Sequence, residues 1–316
     1  LGEAKQDAGG LGGDRAANED LYLFQKLFRD VLGSNNLEHR VGWSATNVGA
    51  DLMRVYGAGV DTHLGALDKN TTVLAITQSG ETADTLAGIR LAKEQGAKVL
   101  SICNVMGSSI ARESNAVIYT HAGPEIAVAS TKAYTSQVTT LALLTLYLAK
   151  QRKRIPPAQL KRLIEALSKL PKVIEQTLGL ENSIKAIAAK YAAQRNFYYL
   201  GRKYNYPSAL EGALKLKEIC PIIHAEGYAA GEMKHGPISL IRKGWPVVFL
   251  APSSPVYEKV LSNIEEVRAR KGDCIVVATE GDKLIKEHAD SLMLIPKTEE
   301  FLSPIVSAIP LQLFAY

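Results

Sequence analysis

Two stretches of this sequence carry residue types whose spacing could do chemistry. Glu211, Lys215 and Glu218 stand at i, i+4 and i+7, so a helix through them puts all three on one face. Shortly after come Glu226 and the run Gly231-Glu232-Met233-Lys234-His235-Gly236-Pro237. A segment bounded by Gly and Pro that carries Glu, Lys and His suits a functional loop better than a core. Carboxylates and an imidazole that titrates near neutrality can move a proton between adjacent sugar carbons, and can give and take the protons of ring opening. The plain alternative for the helical trio is a surface Glu–Lys pairing, worth only about 0.2–0.5 kcal/mol per pair.

The second stretch is Thr77-Gln78-Ser79-Gly80-Glu81-Thr82, between an apolar strand pattern and a helical one. In an open parallel sheet, ligands bind beyond the carboxyl ends of the strands. A helix N-terminus there offers free N–H groups to an anion. Three hydroxyls, an amide and a glycine that lets the backbone come close make a phosphate cradle needing no metal. The same residues also fit a capping box with Ser79 as cap. Val128-Ala129-Ser130-Thr131-Lys132 offers hydroxyls at the start of another helix, and reads equally well as a Ser/Thr cap.

The rest of the sequence narrows the field. With 316 residues and 47% apolar content, the chain has the composition of a soluble globular protein large enough for two domains. The net charge of +5 is spread along the chain, which argues against a nucleic-acid binder. The one dense basic cluster, Lys150–Arg154, reads as a helix C-terminus rather than an anion-binding patch. No apolar run reaches membrane-spanning length, and no signal-peptide pattern is visible. Cys103, Cys220 and Cys274 lack metal spacing and point to a reducing compartment, so a cytoplasmic location is expected. His39, His63, His121, His224 and His288 are scattered without ligand spacing, and no metal site is expected. Trp43 and Trp245 read as packing residues.

From Thr71 onward, β-branched runs alternate with amphipathic stretches, the pattern of an α/β protein with parallel sheets. Strands are predicted at 72–76, 98–103 and 116–120, with helices at about 81–95, 109–114 and 130–151. The order returns with strands at 246–251, 273–278 and 291–296, and helices at 256–270 and 283–288. Gly96 and Gly272 stop the matching long helices, and Asn115 and Asp290 precede the matching last strands. An internal duplication of a βαβαβ unit accounts for this. In the second copy an extra unit comes first, a strand at 197–201 and a helix at about 207–219. Its counterpart upstream would be a strand at Arg40–Trp43 and a helix at Asn47–Tyr56. Gly9–Gly13 reads as a flexible end or turn, because it lacks the phosphate-loop spacing. The division is an atypical segment 1–68, a first α/β domain 69–155, a helical connector 156–195 and a second domain 196–316.

Residues 71–316, about three quarters of the chain, resemble the isomerase half of the glucosamine-6-phosphate synthases (glutamine–fructose-6-phosphate aminotransferases), built from two sugar-isomerase (SIS) domains. The resemblance rests on TQSGETADTL at 77–86, GPEIAVASTKAYTSQ at 123–137, ALEGALKLKEI at 209–219 and HAEGYAAGEMKHGP at 224–237, with SNIEEVRAR and IPLQLFAY in support. The first motif speaks only for an SIS domain, and the last two of the four for this family. It implies two doubly wound α/β domains, each a parallel sheet flanked by helices. It implies binding of fructose 6-phosphate and formation of glucosamine 6-phosphate, with no metal or organic cofactor. Thr77, Gln78, Ser79 and Thr82 match the phosphate ligands, and Val128 and Ser130 further sugar contacts. Glu218 matches the carboxylate that shuttles a proton between C1 and C2, with Lys215 and Glu211 as its neighbours. His235 matches the ring-opening histidine, which in the family reaches across from a partner subunit, so a homodimer with shared active sites is implied.

The chain departs from the family pattern in several places. Thr77 stands where Ser is usual, and one extra residue falls between Glu218 and His224, with Pro221 in it. The family's Schiff-base lysine lies in a tail beyond the matched residues, and no residue here takes that role. The family's glutaminase domain, with its cysteine nucleophile, also lies outside the match and is expected in the full-length protein. The chain as given is therefore expected to be incomplete for the whole reaction. The Cys-Gly-Thr-Ser turn that opens the family's first SIS domain is absent, and Ser44 and Thr46 are its stand-in candidates. Residues 1–68 instead resemble part of the molybdopterin-oxidoreductase-like large subunit of NADH–quinone oxidoreductase, without its cysteine clusters. Two other readings stay open: an SIS-type sugar-phosphate isomerase or deglycase needing no glutaminase, and a non-catalytic sugar-phosphate sensor.

Overall fold

The computed structural model describes residues 67–316 and, before them, two short strands, β1 (Gly10–Leu11) and β2 (Leu37–Glu38), paired in parallel. Gly10–Leu11 is thus extended rather than a turn, its backbone taken up by the bridge to Leu37–Glu38. The elements expected at Arg40–Trp43 and Asn47–Tyr56, and the candidates Ser44 and Thr46, lie outside the described residues. The chain divides into two compact units, Leu1–Leu160 and Lys161–Tyr316.

In the first unit three parallel strands, β3 (Thr72–Thr77), β4 (Lys98–Cys103) and β5 (Ala116–Tyr119), lie in the order β3-β4-β5. Parallel neighbours need crossovers, here α1 (Ala83–Glu94) and the short α2 (Ser109–Glu113). Successive strand residues face opposite sides, so β-branched runs feed two cores. Val73, Ala75 and Val99 pack with Ile89, Ala92 and Ile110 on one side. Leu74 and Ile102 pack with Leu141 and Leu148 of α3 (Lys132–Gln151) on the other.

The second unit takes in most of α4 (Pro157–Leu178), then α5 (Glu181–Tyr191) and five parallel strands. These are β6 (Asn196–Gly201), β7 (His224–Ala229), β8 (Pro246–Ala251), β9 (Asp273–Thr279) and β10 (Ser291–Ile295), in the order β10-β9-β8-β6-β7. Helix α6 (Asn205–Ile219) joins β6 to β7, α7 (Tyr257–Ala269) joins β8 to β9, and α8 (Ser303–Ala315) closes the unit. The apolar α8 is buried along most of its length, all but Gln312 and Leu313, as a helix without a polar face must be. It packs on α6, which is pressed close by a missing side chain. A Cβ on Gly212 would stand 2.6 Å from Leu311 of α8 and 2.9 Å from the Tyr199 ring of β6.

The duplication extends to individual hydrogen bonds. Thr72 lies opposite Lys98 as Pro246 lies opposite Asp273, and Leu100 opposite Ala116 as Ile275 opposite Ser291. Asn115 Oδ1 accepts the Val99 N–H at 2.7 Å, and Asp290 Oδ2 accepts the Cys274 N–H at 2.7 Å. Both long helices end in a Schellman motif. In the first, the Gly96 and Ala97 N–H groups reach Lys93 and Ala92 carbonyls; in the second, those of Lys271 and Gly272 reach Arg268 and Val267. The left-handed residue of the second motif is Lys271, at φ 61°, and not Gly272. Gly272 is required for space instead, since a Cβ would fall 2.7 Å from Val267 and 2.8 Å from Ile241. The Lys150–Arg154 cluster closes α3 with the same motif.

Candidate functional site

In the first unit the loop 77–82 runs from the end of β3 to the start of α1. Thr77 Oγ1 accepts the Gly80 N–H at 3.1 Å, and Ser79 Oγ accepts the Glu81 N–H at 3.2 Å. Both hydroxyls thereby keep their own protons to donate outward. The residue preceding the helix is Thr82, not Ser79, and Thr82 makes no side-chain cap bond. The alternative of a capping box is therefore not formed, and the first N–H groups of α1 lack intrahelical acceptors. Gly80, at φ 69°, has no room for a side chain: a Cβ would lie 2.0 Å from Ser108 Oγ. That close approach lets the Gly80 carbonyl accept from Ile110 at 2.9 Å, locking the loop to the start of α2. Glu81 Oε1 accepts the Ser109 N–H at 2.8 Å, and hydrogen bonds from Ser109 hold the Glu81 carboxyl below the usual range.

The start of α3 differs from the sequence reading. The helix begins at Lys132 rather than Ser130, and its cap comes from a residue that reading missed, Glu125. Glu125 Oε2 accepts from Ala133 N–H at 2.9 Å, Ser130 Oγ at 3.3 Å and Thr131 N–H at 3.4 Å. A carboxylate suits the positive end of a 20-residue helix. An acid a few residues ahead of a Ser/Thr pair was the available signal. Val128, in the loop between, is 97% exposed.

In the second unit the trio on α6 is brought together. Lys215, 2% exposed, donates to Glu218 Oε2 at 2.6 Å, and its Nζ lies 3.5 Å from Glu211 Oε1. Glu211 is 6% exposed and Glu218 27%, so the cluster opens to solvent only at Glu218. This is no surface Glu–Lys ladder. Against Gly212, burial pushes the Tyr199 phenol well above its usual pKa. The turn Cys220–Ile223, which holds Pro221, is closed by an N–H···O bond of 2.9 Å.

The stretch 224–237, of which 231–237 reads from the sequence as a loop, is mostly regular. Its first half is the edge strand β7, and Ala230–His235 is a 3-10 turn. Glu226, on β7, pairs with Lys217 at 3.3 Å and with His224 at 3.5 Å, away from Lys215. His235 is 74% exposed and lies 3.7 Å from Glu232, so its pairing is with its own turn. Among the described residues there is no group of three or more His, Cys, Asp or Glu side chains able to hold a metal ion. Nor, among them, is any helix long and apolar enough to cross a membrane. Trp245 packs on the Tyr198 ring at 5.3 Å.

Comparison with known proteins identifies the family of the chain. The SIS domain family matches residues 53–147 and 190–316. The chain is 52% identical over 244 residues to the glutamine–fructose-6-phosphate aminotransferase [isomerizing] of Aquifex aeolicus, covering 77% of this chain and 40% of that protein. It is 50% identical over 250 residues to the Bacteroides thetaiotaomicron protein of the same name, covering 79% and 41%. The chain thus spans about two fifths of the length of these relatives. Among solved structures, the C-terminal domain of glucosamine-fructose-6-phosphate aminotransferase from Francisella tularensis matches with a TM-score of 0.81 and 34% identity, over 100% of this chain and 84% of that one. A glucosamine-6-phosphate deaminase from Thermotoga maritima shares the fold, with a TM-score of 0.68 at 20% identity over 98% and 83%. The chain belongs to the SIS-domain family, and within it stands with the C-terminal domains of the glutamine–fructose-6-phosphate aminotransferases.

Proposed function

We propose that this chain is the isomerase part of a glucosamine-6-phosphate synthase, binding fructose 6-phosphate and forming glucosamine 6-phosphate in amino-sugar biosynthesis. The observation that carries this reading is the buried Lys215 held between Glu211 and Glu218, with only Glu218 reaching solvent. Thr77, Gln78, Ser79 and Thr82 receive the phosphate through their side chains and the free N–H groups of α1, while Val128 and Ser130 touch the sugar. Glu218 carries the proton between C1 and C2, as a positioned carboxylate can. Lys215 fixes its orientation through a charge-assisted hydrogen bond, and Glu211 shares the cation. His235, standing out from its unit, opens the sugar ring. Its exposure suits a residue that acts in a partner subunit's site, and hence a homodimer. The glutaminase belongs to the length of the relatives that this chain does not match. A cytoplasmic location accords with the three free cysteines.

Isomerisation of fructose 6-phosphate to glucose 6-phosphate by the intact protein, alongside calorimetric binding of the sugar phosphate, tests this. Glu218→Gln is expected to lower turnover by about 10²–10⁴-fold and to leave binding unchanged. Binding with no turnover in the unaltered protein would convert the reading into that of a sugar-phosphate sensor.

A further inference from the structure

The SNIEEVRAR segment lies on α7 and plays no part in the site described so far. Ile264 and Val267 face the core, but Asn263 in the middle of the helix is also buried, 5% exposed. A buried amide persists only where its polar atoms are matched, and here the partners lead to the turn that carries His235. Asn263 Oδ1 accepts from Arg202 Nε at 3.0 Å, and Asn263 Nδ2 donates to Glu266 Oε2 at 3.2 Å. Glu266 Oε1 in turn pairs with Lys234 at 2.9 Å, one residue before His235. The Arg202 guanidinium reaches the other end of the same turn: a Cβ on Gly231 would stand 3.3 Å from Nη1 and Nη2. From inside, Ala230 and Met233 anchor the turn in the core.

We propose that Asn263 is a positioning residue for His235, joining Arg202 at Gly231 and Glu266 at Lys234 into a clamp that grips both ends of the 230–235 turn. The proposal rests on the role given above to His235, and sharpens it. A short 3-10 turn has poor internal hydrogen-bond geometry and does not hold its own shape. Two apolar anchors fix its depth, but not the rotation that aims an exposed imidazole. The Asn263 amide sets that rotation, because it bonds to both the arginine and the glutamate arm. The Lys234–Glu266 pair is exposed at its outer end and contributes little by itself. Its value lies in being fixed from behind.

Amide hydrogen exchange of residues 231–235, measured beside fructose 6-phosphate turnover, tests the clamp. Asn263→Leu is expected to speed exchange across 231–235 by about tenfold, leaving the amides of β8 and β9 unchanged. It should lower kcat by about 10- to 100-fold with KM within about threefold, the pattern of a misaimed group rather than lost affinity. Glu266→Gln keeps one acceptor oxygen but turns an NH2 group towards the other donor, so it should fall between the unaltered protein and Glu266→Leu, which follows Asn263→Leu. Lys234→Met, on the surface, tests the outer arm without risk to folding, with about threefold faster exchange expected at 234–235. Exchange unchanged in both Asn263→Leu and Lys234→Met overturns the clamp. Faster exchange with unaltered kcat overturns the positioning role. Absence of turnover in the unaltered protein counts against the proposed function, and the exchange result then decides the clamp alone.

Discussion

Lys215 illustrates what a single residue costs and what it holds. Its ammonium is removed from water on α6 and is offset by two carboxylates, at 2.6 and 3.5 Å. Removing one member of such a cluster leaves the opposite charge buried and poorly compensated. Lys215→Met is therefore expected to destabilise the protein by about 3 kcal/mol, read as a lower urea midpoint at unchanged slope. An unchanged midpoint would mean that Glu211 does not depend on this cation. The helical spacing of Glu211, Lys215 and Glu218 was legible in the sequence. Their burial was not, because it depends on tertiary packing around α6, of which Leu311 of α8 against Gly212 is one contact. Gly80 is the matching case in the first unit. With φ at 69° and Ser108 where a Cβ would go, Gly80→Ala is expected to cost at least about 1 kcal/mol and to abolish phosphate binding. Phosphate calorimetry on a variant that still folds checks the second effect.

At the scale of elements, strands and long helices were the readable part, since β-branched runs and apolar periodicity fix them locally. What escaped was set by tertiary partners. The edge strand β7 contains Glu226 and Gly227, poor strand formers, and is extended because β6 offers a parallel neighbour. The start of α3 moved to Lys132 because Glu125 reaches back to cap it. Helix α7 carries the pH dependence that follows from such contacts. Hydrogen bonds from His288 and then Arg268 hold the Glu265 carboxyl below its usual range. A carboxyl with a lowered folded pKa adds stability above its unfolded pKa of about 4.3, and loses it as pH falls through the folded value. The melting temperature of the unaltered protein should therefore exceed that of Glu265→Gln at pH 6 and converge on it towards pH 3. Thermal scans across that range check this, and a gap independent of pH would exclude it.

Over the whole molecule, the two units repeat one βαβαβ pattern in register and hydrogen bonding but differ where β3 and β8 hand over to their helices. After β3 stands Thr77-Gln78-Ser79-Gly80-Glu81-Thr82, with hydroxyl protons free to donate and a glycine in the left-handed region. After β8 stands Pro252-Ser253-Ser254-Pro255, where two residues lack an N–H and the Ser253 N–H is already bonded to Thr279 Oγ1 at 2.8 Å. Anion binding at such a turn depends on the number of donors converging on one point. The second copy has surrendered too many of them. Duplication of the fold therefore does not imply duplication of the ligand site, and one phosphate per chain is expected. Calorimetric titration with fructose 6-phosphate should give a stoichiometry near one, and Ser79→Ala combined with Thr82→Val should remove the whole signal. A stoichiometry near two, with one site surviving in that double variant, would place a second anion site in the other unit and overturn the division of labour argued here.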